Sequence, residues 1–121
     1  MVEINPTRLM HHLQTLRQFG AKDAGVVRPA LSTEDIRARK WLVEQLSSVG
    51  LQTDLDAVGN VFGISPHPGR ALLVGSHSDT QPTGGWLDGA LGVVYALECA
   101  QAFAECPQSR NLPLDVVSWQ D

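Results

Sequence analysis

The chain has 121 residues, 43% of them hydrophobic and 18% charged, and nine Lys+Arg against thirteen Asp+Glu give a formal net charge of -4. One domain of ordinary size with a sizeable core is expected, and disorder by composition is excluded. The acidic balance argues against a nucleic-acid or anionic-membrane surface, since both need clustered positive charge, and the apolar runs are too short to span a bilayer.

Met1 to Met10 lacks the basic and apolar regions of a secretory signal, so a cytoplasmic location is expected. Leu9, Leu13 and Leu16, with Met10 and Phe19 beside them, predict a helix over residues 7–19, with Pro6 near its start and Gly20 just past its end. A polar, Gly-containing connection over residues 21–31 follows. Ser32-Thr33-Glu34-Asp35 then carries the Asp variant of a capping box. The second helix presents Ile36, Leu42, Val43, Leu46 and Val49 on one face, leaves Arg37, Arg39, Lys40 and Glu44 mostly solvated, and ends at Gly50.

From Leu51 the period changes to two, and residues 51–57 read as a half-buried strand. A Gly59-Asn60 turn leads to a partner strand over residues 61–64. After the Pro66-His67-Pro68-Gly69 turn, residues 71–74 form a continuous apolar run, expected to be a strand buried on both faces. Residues 90–104 predict a helix that is apolar almost all round, and residues 112–119 a last strand. Strand, loop, helix and strand make a βαβ unit, which points to an α/β fold with parallel strands. Exposed apolar surface on that last helix and an unpaired sheet edge are also expected.

The chemistry lies in residues 75–89, Gly-Ser-His-Ser-Asp-Thr-Gln-Pro-Thr-Gly-Gly-Trp-Leu-Asp-Gly. His77, Asp79 and Asp88 would sit between the C-terminal end of a strand and the start of a helix. That is where open α/β sheets carry their sites. Imidazole and carboxylate together suit Zn²⁺, Mn²⁺ or related divalent ions. Asp79 follows His77 by two, so in extended backbone both side chains point to one side and the carboxylate can orient the ring. Asp88, arriving from the far end of the loop, could supply a second ligand or bridge two metals. The competing reading is a polar turn in which Asp88 caps the helix. No phosphate-binding glycine pattern and no serine-hydrolase elbow is present.

The remaining candidates carry less. His11 and His12 are neighbours on a helix and point about 100° apart, so they do not chelate one ion. His67 belongs to a turn. Trp41 and Trp119 are expected in the core, and Trp86 is the aromatic placed to line a pocket. Cys99 and Cys106 are expected to be reduced thiols, since two cysteines make no disulfide framework.

Residues 75–80, Gly-Ser-His-Ser-Asp-Thr, and residues 81–89, Gln-Pro-Thr-Gly-Gly-Trp-Leu-Asp-Gly, closely resemble the metal-binding loop of a known group. It is the amidase/carbamoylase branch of the dinuclear zinc aminoacylase and exopeptidase (M20) family, which includes N-carbamoyl-L-amino-acid hydrolases, allantoate amidohydrolases and β-ureidopropionases. Leu91-Gly92-Val93, Ala96-Leu97-Glu98 and, upstream, residues 56–61 continue the likeness. The resemblance implies a partial three-layer α/β/α, zinc-exopeptidase-like catalytic domain with a mixed sheet. It assigns His77 and Asp88 as metal ligands, Asp88 bridging two ions, and Asp79 as the catalytic-site residue that orients His77. It implies two divalent ions per site in the full-length family, Zn²⁺ first, with Mn²⁺, Co²⁺ or Ni²⁺ as the others.

In that family a Glu-Glu-Gly segment, with a general base and a further ligand, follows residues equivalent to 115–121. By this resemblance the chain corresponds to an N-terminal part of the catalytic domain, with the rest of that domain and the dimerising lid domain outside it, and is expected to be inactive alone. The implied substrate is a small ureido or amide molecule, with no nucleic acid or membrane partner, and a full-length form is expected to be a homodimer. The alternatives are a non-catalytic remnant or binding domain and a peptidase or deacylase of the same family.

Overall fold

The computed structural model describes residues 1–120 of the chain. Asn5 opens the first helix, α1 (Pro6–Gln18), where its side-chain oxygen accepts the Arg8 backbone N–H. Proline at the first helical position loses no hydrogen bond there, because that N–H has no partner in a helix anyway. Gly20 then turns the chain with φ of +85°. The connection read from sequence as irregular forms a two-residue antiparallel ribbon, β1 (Ala21–Lys22) and β2 (Gly25–Val26). It is too short for a periodicity to announce it.

Ser32 caps α2 (Thr33–Ser48) through its hydroxyl, which accepts the Asp35 N–H at 3.2 Å. The Asp35 carboxylate accepts the Leu31 N–H at 2.9 Å and the Arg39 Nε–H at 2.9 Å. Arg39 is therefore 2% exposed rather than solvated, and Ile36, expected on the apolar face, is 41% exposed. A buried carboxylate one turn earlier draws the arginine inward, and the helix rotates its apolar face to suit.

The remaining strands are β3 (Gln52–Leu55), β4 (Val61–Ile64), β5 (Leu72–His77) and β6 (Leu114–Trp119), with α3 (Ala90–Glu105) between the last two. They make one sheet in the order β3-β4-β6-β5. β5 and β6 are parallel, as the βαβ reading requires, while β3–β4 and β4–β6 are antiparallel. The result is an α/β fold with a mixed sheet.

Both longer helices lie on one face of the sheet. Leu42 and Leu46 of α2 share a core with Val61 and Val116 of the strands and Val93, Ala96 and Leu97 of α3. Such aliphatic side chains each gain about 1.5–3 kcal/mol from full burial. α1 packs against α3 through Leu13, Leu16, Ala90 and Val94. The N-terminus is fixed to α3 by charge: Glu98, 1% exposed, accepts from the Asn5 N–H and from Arg8 Nε and Nη2.

The opposite face of the sheet carries Phe62, Ile64, Leu73, Val117 and Trp119, and Trp119 meets the Phe62 ring edge-on with centroids 5.7 Å apart. Trp119 is 46% exposed, against the expectation of a core position. β5 is an edge strand with Leu72 62% and Leu73 46% exposed, so its apolar run does not mark burial on both faces. Among the described residues it pairs on one side only, with β6. Conversely α3 is better covered than expected, because α1 lies across it and Tyr95 is its one large hydrophobic exposed by as much as 49%.

Cys99 and Cys106 are free thiols, Cys106 buried and Cys99 half-buried, as expected for reduced cysteines. His12 lies against the Trp41 ring, centroids 5.9 Å apart, and burial, with the adjacent His11 adding to it, depresses its pKa below the ordinary imidazole value. The native state then favours the neutral ring. Its contribution to stability is whole above the unfolded pKa of about 6.5 and is lost as pH falls through the lower folded value. Urea unfolding at pH 7.5 and pH 5 is expected to show a smaller acid loss in His12→Phe than in the unaltered chain. Equal losses in both would remove His12 as a cause.

Candidate metal-binding site

β5 delivers His77 at its C-terminal end, beside Trp119 of β6. Two glycines set how closely its neighbours approach. A Cβ on Gly75 would stand 1.8 Å from the Val117 carbonyl oxygen, and one on Gly92 would stand 2.7 Å from the Ser76 Cβ. Without side chains at these points, β5 fits against β6 and α3 settles onto β5.

Beyond the strand the backbone stays extended enough to place Asp79 and His77 on one side. His77 Nδ1 and Asp79 Oδ1 are 3.1 Å apart. Ser78, between them, is 1% exposed, and its Oγ accepts from the Ser118 hydroxyl at 3.3 Å. The loop is held from its other side by the residues after β2. Thr80 N–H donates to the Arg28 carbonyl at 2.8 Å, the Arg28 N–H donates to Thr80 Oγ1 at 2.9 Å, and Val26 forms an isolated antiparallel bridge with Gly84. Trp86 is half-buried against the α1 core, with the Arg17 guanidinium 4.8 Å from its ring centroid. It anchors the loop to α1, where the sequence suggested a pocket wall.

The end of the loop bears on the capping reading of Asp88. The N-cap of α3 is Gly89, with φ +70° and ψ -54° and no side-chain cap hydrogen bond. The Ala90 N–H donates to the Asp88 carbonyl at 2.7 Å, which closes a γ-turn of the rare, strained hand on Gly89. The Asp88 carboxylate is thus not engaged in capping. Its side chain is 89% exposed, and Oδ2 is 3.8 Å from His77 Nε2. The His77 ring lies over Gly89 so closely that a Cβ there would be 2.4–2.6 Å from its Cε1, Nε2 and Nδ1 atoms. The role of Gly89 went unread in the sequence, although its place directly after Asp88 was visible.

His77 therefore has one nitrogen committed to Asp79 and the other turned toward a free carboxylate. This donor set fits a divalent ion: ligand nitrogen and oxygen atoms stand at about 2.0–2.2 Å from zinc, so a 3.8 Å separation is one that a single ion can bridge. The two are an incomplete set, because among the described residues no group of three or more His, Cys, Asp or Glu gathers around one point. His11, His12 and His67 belong to no such group. Asp121 lies outside the described residues.

The sequence profile of Peptidase family M28 matches residues 60–121, which takes in β4, β5, the whole loop and β6. The chain belongs to Peptidase family M28. The M28 chain is similar, at 36% identity over 111 residues, to an allantoate amidohydrolase of Bacillus subtilis, covering 88% of this chain and 27% of that protein. It is 34% identical to an N-carbamoyl-L-amino-acid amidohydrolase of a Pseudomonas species, over 98% of this chain and 30% of the relative. Among solved structures, an amidase of the hydantoinase/carbamoylase family from Burkholderia phymatum superimposes with a TM-score of 0.98 and 56% identity, over 100% of this chain and 30% of that one. The M28 chain thus spans under a third of the length of each of these three relatives. The family number differs from the M20 suggested by the loop, while the amidase and carbamoylase relatives are those the loop resembled.

Proposed function

We propose that this chain supplies part of the metal centre of an amidohydrolase that cleaves linear amides. The substrates would be N-carbamoyl-L-amino acids or allantoate-type ureido acids. The observation that carries the reading is the His77–Asp88 pair: an oriented imidazole facing an uncapped, exposed carboxylate at the C-terminal end of a parallel strand. The names of the relatives support the amide chemistry and the carbamoyl class.

In this reading His77 and Asp88 are the residues that would hold a divalent ion, the imidazole by its Nε2 side and the carboxylate facing it. A bound ion of this kind supplies Lewis acidity toward an amide carbonyl. Asp79 holds the His77 ring in one orientation through Nδ1, which leaves Nε2 as the ligand atom. In the family that the loop resembles, the base that takes a proton from water would come from a Glu-Glu-Gly segment following residues equivalent to 115–121. Zn²⁺ is the first choice of ion from the nitrogen and oxygen donors, and Mn²⁺, Co²⁺ and Ni²⁺ share the preference for imidazole or carboxylate.

The test is metal binding and ammonia release in a full-length protein carrying this segment. Asp88→Ala is expected to lower Zn²⁺ affinity by at least tenfold in calorimetry and to abolish ammonia release from an N-carbamoyl amino acid. Asp88→Ala with unchanged turnover would overturn the assignment. Turnover on dipeptides but not on carbamoyl substrates would keep the site and replace the substrate class.

A further inference from the structure

Arg28 is 0% exposed, the largest side chain to be so completely enclosed, and among the described residues it forms no ion pair. Its guanidinium is spent on carbonyls instead. Nε donates to the Ser78 carbonyl at 2.7 Å, and Nη1 donates to the carbonyls of Leu16 at 2.8 Å and Phe19 at 2.7 Å. Nη2 is buried without a hydrogen-bond partner. Burial pushes the pKa of the group down, and the charges of Asp35 and then Asp79 oppose that shift. Enclosing a guanidinium in this way is unfavourable for stability taken alone. Three carbonyls from two separate segments need a rigid, forked donor, which lysine does not offer.

One of those carbonyls belongs to the residue between His77 and Asp79. Its direction fixes the peptide that leads into Asp79, and so fixes where the carboxylate meets His77 Nδ1. The Arg28 backbone holds the next residue as well, through both of its hydrogen bonds with Thr80. We propose that Arg28 is a positioning residue for the metal site: by clamping the Ser78 carbonyl to the end of α1 it sets the Asp79 carboxylate on His77 and keeps the proton on Nδ1, leaving Nε2 facing Asp88. The inference rests on the metal-site reading of His77, and its main readout needs no metal.

Arg28→Lys keeps the charge but replaces the fork with a single point donor. Thr80→Val keeps Arg28 and removes the hydroxyl that its N–H bonds. In the chain labelled with ¹⁵N-histidine, imidazole nitrogen shifts at one fixed pH are expected to show His77 with its proton on Nδ1. In both variants the population should move toward the Nε2–H form, more in Arg28→Lys, with far-ultraviolet dichroism verifying that each is folded. Zn²⁺ affinity by calorimetry should fall in parallel, by about tenfold to a hundredfold as when an outer hydrogen-bond partner of a ligand is lost.

A folded Arg28→Lys with the original tautomer would overturn the proposal and leave Arg28 a structural clamp only. Should Arg28→Lys fail to fold, Thr80→Val decides by the same signal, and an unmoved tautomer there overturns the proposal too. Failure of the unaltered chain to bind Zn²⁺ counts against the metal reading alone, because the tautomer still reports on the clamp.

Discussion

Gly89→Ala is expected to displace His77 and to strain the turn that opens α3. The added Cβ would stand 2.4 Å from the ring Cε1 and 2.5 Å from Nε2, the ligand atom of the proposed site. The ring has no simple retreat, because its other nitrogen is held at 3.1 Å from Asp79. The backbone adds to the effect: φ +70° with ψ -54° is a conformation alanine resists, at about 1–3 kcal/mol for a residue held in such a region. Denaturant unfolding is expected to show a loss at or above that range. Zn²⁺ affinity by calorimetry should fall at least about tenfold, the scale seen when a ligand's orientation is disturbed. A Gly89→Ala protein with original affinity would mean that the ring position is not set by this contact.

The second large effect lies at the start of α2. Asp35 is 0% and Arg39 2% exposed, and they meet at 2.9 Å. Arg39→Ala would leave the carboxylate enclosed with only the Ser32-capped helix start and the Leu31 N–H to support its charge. Removing one partner of a buried pair costs about 3–5 kcal/mol, because the other charge stays behind. Arg39 also donates to the Gly59 carbonyl at 2.6 Å, which ties the helix to the turn before β4. That turn is already ordered by the Asp56 carboxylate, which accepts from the backbones of Val58, Gly59 and Asn60. Its loosening should therefore be local. The double variant Asp35→Asn, Arg39→Leu is expected to lose less than the sum of the single changes in a double-mutant cycle. Additive losses would show that the pair is not coupled.

Leu31 shows why Asp35 matters locally. It is a non-glycine residue with φ +64° and is 65% exposed, so no packing holds it in that strained conformation. The hydrogen bond from its N–H to the Asp35 carboxylate does.

The residues of the proposed site lie within twelve positions of one another in sequence, and the extended spacing of His77 and Asp79 implied the contact that they make. Helix starts at Pro6 and Ser32 and the stops at Gly20 and Gly50 were equally local signals. The choice between a capping and a free Asp88 was not local. It depended on where Gly89 placed the first turn of α3, and on a ring arriving from β5.

Hydrophobic pattern, capping chemistry and the loop motif were thus enough to place every long element and to single out His77, Asp79 and Asp88. These features depend on interactions between residues only a few positions apart. Three things were decided by the tertiary structure alone. β5 became an edge strand, because an apolar run does not reveal how many neighbours a strand has. Arg39 turned inward, because the packed fold buries the Asp35 carboxylate that it pairs with and brings the Gly59 carbonyl to its guanidinium. Arg28 reached the loop through contacts spanning 50 and 52 positions, a closeness that exists only once α1, the ribbon and β5 have been packed together.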